Sequence, residues 1–75
     1  MQEQYRVIGE TAGKIYRALE QNGAKTITNL QREAEITDSA LFHQALGWLA
    51  RESKVNFEKQ GKGLVISLSV AQVVR

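Results

Sequence analysis

The groups with the most chemical content lie in the middle of the chain and in a glycine-rich turn behind it. Ser39, His43 and Gln44 carry a hydroxyl, an imidazole and an amide, and Arg51, Lys54, Lys59 and Lys62 follow. Such groups suit hydrogen bonding to base edges and to phosphate oxygens. A glutamine amide can pair with adenine through two atoms, and a serine hydroxyl can donate to a phosphate. The same side chains are also ordinary on a solvated helix, so residue type alone leaves both readings open.

Other chemistries are poorly supplied. There is no cysteine, which excludes thiol nucleophiles, disulfides and cysteine-ligated zinc or iron–sulfur sites. His43 is the single histidine and has no partners for a metal site, so no metal and no cofactor are expected. No carboxylate pair or nucleophile–base arrangement stands out. Gly61-Lys62-Gly63 lacks the spacing and the following helix of a phosphate-binding loop. The expectation is a binding module, not an enzyme.

Charge discriminates further. Between residues 37 and 50 there is no lysine or arginine and one acid, Asp38. A helix lying between phosphate rows would gain from cations there. The basic cluster comes afterwards, Arg51, Lys54, Lys59 and Lys62 against Glu52 and Glu58. It can reach phosphates, or it can keep an edge hairpin soluble. The whole chain has ten basic and eight acidic residues in 75, a balance that permits nucleic-acid binding without requiring it.

A second set of residues points to contact with protein. Gly47, mid-helix, costs about 1 kcal/mol relative to alanine unless another backbone approaches closely. Leu41 and Trp48 share one flank of that helix, seven residues apart. Earlier, Gly9 and Gly13 are four apart and lie beside Tyr5 and Tyr16. These positions are candidates for a homodimer or partner interface. Equally, the glycines can admit another helix of the same chain, and Trp48 can fold onto the hairpin or the first helix.

These residues need elements to hold them. Tyr5, Ile8, Ala12, Ile15 and Leu19 recur at helical spacing, which predicts a helix over residues 4–22 with Gly23 at its C′ position. A short extended piece over residues 25–27 follows, with Ile27 as the third small strand. Thr28 then opens a second helix through a capping box with Gln31, ending near Glu35. Thr37 or Asp38 caps a third helix running to about Glu52, and Ile36 with Leu41 can staple its start. Phe42, Ala45, Leu46 and Leu49 face inward, which turns Ala40, Gln44, Gly47 and Arg51 outward. Past Ser53 the period falls to two. Val55 and Phe57, then Leu64, Ile66, Leu68 and Val70, form the inner face of a hairpin around the Gln60–Gly63 turn. Residues 71–75 fit strand, helical turn or frayed end.

Helix, strand, helix, turn, helix, hairpin is the order of an α+β winged helix-turn-helix, one domain over residues 1–75, with a C-terminal β-hairpin wing. Two strings go further: residues 8–15, Ile-Gly-Glu-Thr-Ala-Gly-Lys-Ile, and residues 45–52, Ala-Leu-Gly-Trp-Leu-Ala-Arg-Glu. Together they resemble a family of small bacterial winged-helix domains of unknown function, over nearly the whole chain. The resemblance implies the fold and supplies no activity. Where that family has glycine before the wing, this chain has Ser53.

The functional expectation is a DNA-binding winged helix associated with transcription; the alternative is a protein-interaction or dimerisation domain that does not bind DNA. No small-molecule substrate is evident. No stretch is long and apolar enough to span a membrane. The polar start, Met1-Gln2-Glu3-Gln4, is unlike a secretory leader, so a cytoplasmic location is expected.

Overall fold

In a computed structural model, residues 2–69 are described. Three helices and three strands follow one another: α1 (Gln2–Asn22), β1 (Lys25–Thr26), α2 (Ile27–Glu33), α3 (Ser39–Arg51), β2 (Val55–Gln60) and β3 (Gly63–Leu68). The winged helix-turn-helix order is the one expected. Val70 and the segment 71–75 lie outside the described residues.

The α1 helix begins two residues earlier than predicted, and Gly23 ends it as expected. Gly23 has φ 80°, and its N–H donates to the Leu19 carbonyl at 2.9 Å, closing the last turn. Ile15 and Leu19 are buried from this helix, as is Thr11, whose hydroxyl donates to the Val7 carbonyl at 2.8 Å. Tyr5 departs from the predicted apolar stripe. It is 59% exposed, at the end of the helix that overhangs the core.

Local chemistry around β1 and α2 differs from the expectation. The residue capping α2 is Thr26, not Thr28: its side chain accepts from the Asn29 N–H at 3.3 Å. Ile27 is therefore the first residue of the helix and not a strand residue, and the third strand is Lys25–Thr26. Gln31 does not reach back to form a capping box. Its Nε2 donates forward, to the Ile36 carbonyl at 2.9 Å and to Ser39 Oγ at 3.1 Å, and so braces the turn between α2 and α3.

That turn uses a left-handed residue. Glu35 has φ 59°, its N–H donates to the Arg32 carbonyl, and the Ile36 N–H donates to the Gln31 carbonyl. This is the paired bonding of a Schellman stop. Asp38 then caps α3, its carboxylate accepting from the Leu41 N–H at 3.1 Å. The same stop closes α3: Ser53 at φ 61°, with bonds from Ser53 to Ala50 and from Lys54 to Leu49. Ser53 thus fills the left-handed position at which the resemblance expects glycine.

The sheet is antiparallel in the order β1-β3-β2, so β3 is central and β2 is an edge. Register explains a further departure. Phe57 lies opposite Ile66 and shares its face, yet Ile66 is fully buried and Phe57 is 43% exposed. Only Val55 of β2 is buried, because the rest of the strand runs past the helices. The hairpin closes at Gly61-Lys62 between the paired Gln60 and Gly63. Gly61 has φ 59°, as the first position of a type II′ turn requires. The core under this frame contains Ile15, Leu19, Leu30, Phe42, Ala45, Leu46, Leu49, Val55 and Ile66.

Candidate nucleic-acid interface

Burying Phe42, Ala45, Leu46 and Leu49 fixes the rotation of α3. Ser39, Ala40, His43, Gln44, Gly47 and Arg51 are consequently exposed along its outer side, as the spacing predicts. Leu41 is half-buried on the flank.

Three polar groups on this face have a local tie. His43 Nδ1 lies 2.8 Å from the Ser39 carbonyl. A carbonyl only accepts, so Nδ1 carries the hydrogen and a neutral ring presents Nε2 outward as an acceptor. Ser39 Oγ accepts from Gln31, which leaves its own hydroxyl hydrogen to donate outward. Gln44 Oε1 accepts from Gln4 Nε2 at 3.4 Å, a long bond that brings the start of α1 to the edge of the face. Gln4 was not singled out from sequence, and Gln31 was named only as a helix-capping residue. Helical periodicity identifies residues on one element and gives no sign of which side chains arrive from another.

The cations divide into bound and free. Arg6 bridges Glu3 and Glu10, Lys25 lies 3.6 Å from Glu33, and Arg32 meets Asn29. Among the described residues Lys14, Arg17, Arg51, Lys54, Lys59 and Lys62 make no ion pair. Lys59 and Lys62 are exposed near the wing tip, which lies five strand steps, about 17 Å, beyond Val55. Lys54 is drawn elsewhere, into a groove between α1 and α3.

That groove holds about 350 Å³ and is lined by Gly9, Gly13, Tyr16, Arg17, Trp48 and Lys54, with Ala12 and Leu49 below. It brings together four of the seven residues proposed for a protein interface. Tyr5 lies on the same helix outside it, and Leu41 and Gly47 are not part of it. Trp48 is 40% exposed, so its indole is only partly covered by this chain. A Cβ on Gly9 or Gly47 would meet nothing within 4 Å, and one on Gly13 would meet only the Arg17 guanidinium at 3.6 Å. Close approach within the chain therefore does not account for these glycines. Arg17 was missed from sequence, although it lies one helical turn after Gly13.

Among the described residues there is no group of three potential metal ligands, and no helix is long and apolar enough to cross a membrane.

Residues 1–68 match the winged helix-turn-helix domain family DUF2582. The chain belongs to this family. It is also similar to the uncharacterized protein MJ1608 of Methanocaldococcus jannaschii, with 41% identity over 70 residues that cover 91% of this chain and 99% of that protein. That relative is archaeal, whereas the resemblance read from the sequence was to bacterial domains.

Proposed function

We propose that this DUF2582 domain is a non-catalytic, cytoplasmic, transcription-associated module that binds double-stranded DNA. The α3 helix enters the major groove and the wing rests on the flanking backbone. One observation carries the reading: the exposed α3 face offers a donor hydroxyl at Ser39, an imidazole acceptor at His43 and an amide at Gln44, while Lys59 and Lys62 stand free on the protruding wing. Base edges take the first set and phosphates the second. Arg51 extends the cationic rim at the end of α3. The charge-poor centre of α3 assigns affinity to the wing and selectivity to the helix.

The test is fluorescence anisotropy with labelled duplexes over a salt series. Binding should weaken steeply with salt, with a log–log slope near −0.9 for each phosphate neutralised. Lys59→Ala and Lys62→Ala should each flatten that slope by about 1 and weaken all sequences alike. Gln44→Ala should instead erode discrimination between sequences. Absence of binding to any duplex, selected random pools included, removes the proposal.

A second reading, protein interaction, is supported by a separate observation. Trp48 is only partly covered by its own chain, in a groove whose glycines serve no internal neighbour.

A further inference from the structure

We propose that the α1/α3 groove takes an acidic segment of a different protein, which seats an apolar side chain over Gly9 and sets carboxylates against Arg17 and Lys54. This rests on the protein-interaction reading and is independent of duplex binding.

The groove is supplied with donors and with no anion. Arg17 and Lys54 carry cations, Trp48 an indole N–H and Tyr16 a hydroxyl. Among the described residues none of these four side chains has a hydrogen-bond or ionic partner. Three of the four can only donate. No carboxylate lines the groove, and its floor is aliphatic, formed by the buried Ala12 and Leu49. A complementary occupant must bring negatively charged acceptors together with an apolar body.

The groove also has a direction. Gln4 of α1 meets Gln44 of α3, and Tyr16 and Lys54 come together further on, so the two helices run the same way. Lys54 therefore stands at the Arg17 end. Its backbone is fixed there, the N–H donating to the Leu49 carbonyl at 2.9 Å and the carbonyl accepting from the Ser69 N–H at 3.0 Å. The Arg17 guanidinium turns back over Gly13, 3.6 Å from where a Cβ would stand, and so overlies the groove. At the other end, open space lies above the Gly9 backbone. Gly9 and Gly13 are about 6 Å apart, close to one helical turn. An apolar residue and carboxylates three or four positions away on a helical segment have that spacing.

A second copy of this chain does not bring that combination. Its exposed rings other than Trp48 are Tyr5 and Phe57. The acids nearest Tyr5 along α1, Glu3 and Glu10, both hold Arg6, and Phe57 shares its strand face with Lys59. Two cations beside a short apolar floor also suit a local cluster of carboxylates better than the continuous phosphate row of a nucleic acid.

The experiment is selection of random linear peptides displayed on phage against the purified full chain, followed by anisotropy of the selected sequences as labelled synthetic peptides. They should carry Asp or Glu three or four positions from Leu or Phe, and their binding should weaken with salt. Trp48 is the only tryptophan, so peptides without tryptophan should shift its emission to the blue. Arg17→Glu with Lys54→Glu changes two exposed, unpartnered side chains, and Gly9→Glu adds one into empty space, so both variants should keep the wild-type circular dichroism. Each should weaken the acidic peptides by about tenfold or more, and selection against the charge-reversed variant should turn to basic sequences. Selected peptides without acids, or acidic ones that both variants bind as before, overturn the proposal and leave protein interaction standing. Displacement of the peptides by oligothymidylate of equal charge assigns the groove to nucleic acid and overturns it as well. A chain that selects no peptide and sediments as a dimer replaces the acidic segment with a second copy. A chain that selects none and stays monomeric removes the protein-interaction reading too.

Discussion

Glu35 and Ser53 occupy a backbone region in which a side chain is strained, and each stands where a helix must stop. Their N–H groups and those of the next residues satisfy carbonyls at the ends of α2 and α3, so the conformation is enforced by hydrogen bonds. An L-residue in the left-handed region costs roughly 1–2 kcal/mol, and glycine avoids most of that. At Glu35 the carboxylate also lies at the negative end of α2. Glu35→Gly should therefore stabilise the domain by about 1 kcal/mol, an increase of roughly 4–8 °C in a thermal melt of a chain this size. A melt lowered by the substitution would mean that the Glu35 side chain contributes contacts outweighing its backbone strain. Neither left-handed residue was identified in the sequence as a helix stop, because nothing local marks a serine or a glutamate for φ > 0. Gly23 was identified as one, since glycine is the usual residue there.

At the scale of elements, α3 was the most legible. Its inward residues recur with a clear 3.6-residue period, and all four predicted are buried. The shorter elements were less legible. Thr26 and Thr28 are both possible caps, and the choice between them is made by β1, which pairs Thr26 with Val65 and ends the strand there. Phe57 alternates correctly yet lies outside the core, because alternation gives a face and not whether helices cover it. Gly47 belongs to this scale too, since its meaning depends on what α3 lies against. Its Cβ position is open, so Gly47→Ala should stabilise the domain by about 1 kcal/mol. Gly47 also lies between Gln44 and Arg51 on the outer stripe. The added methyl should then hold α3 off the groove floor and weaken duplex binding several-fold in anisotropy. Gain of stability with unchanged affinity would place the reading contacts away from Gly47 and toward Ser39 and His43.

At the scale of the whole molecule, fold and site were legible to different degrees. The order of elements follows from local patterns, so the winged-helix architecture could be read in advance. The groove could not, because it joins Tyr16 and Arg17 of α1 to Trp48 and Lys54 beyond the turn, and only the crossing of the two helices makes them neighbours. The core above which it lies is thin, since Ala12, Ala18, Ala34 and Ala45 are among its buried residues. A domain this small buries only about 60% of the surface its unfolded chain exposes. Apolar area gained from a bound partner is then a sizeable part of total stability, and stability becomes dependent on partner concentration. Above the dissociation constant, each tenfold rise in free partner adds about 1.4 kcal/mol. Differential scanning calorimetry across a hundredfold range of an acidic peptide selected on the groove should show the wild-type Tm climbing throughout. Gly9→Glu should melt at one temperature throughout, close to the peptide-free wild-type limit. A wild-type Tm independent of peptide concentration would mean that the folded domain gains nothing from the acidic segment, and that the open face of α1 awaits no such partner.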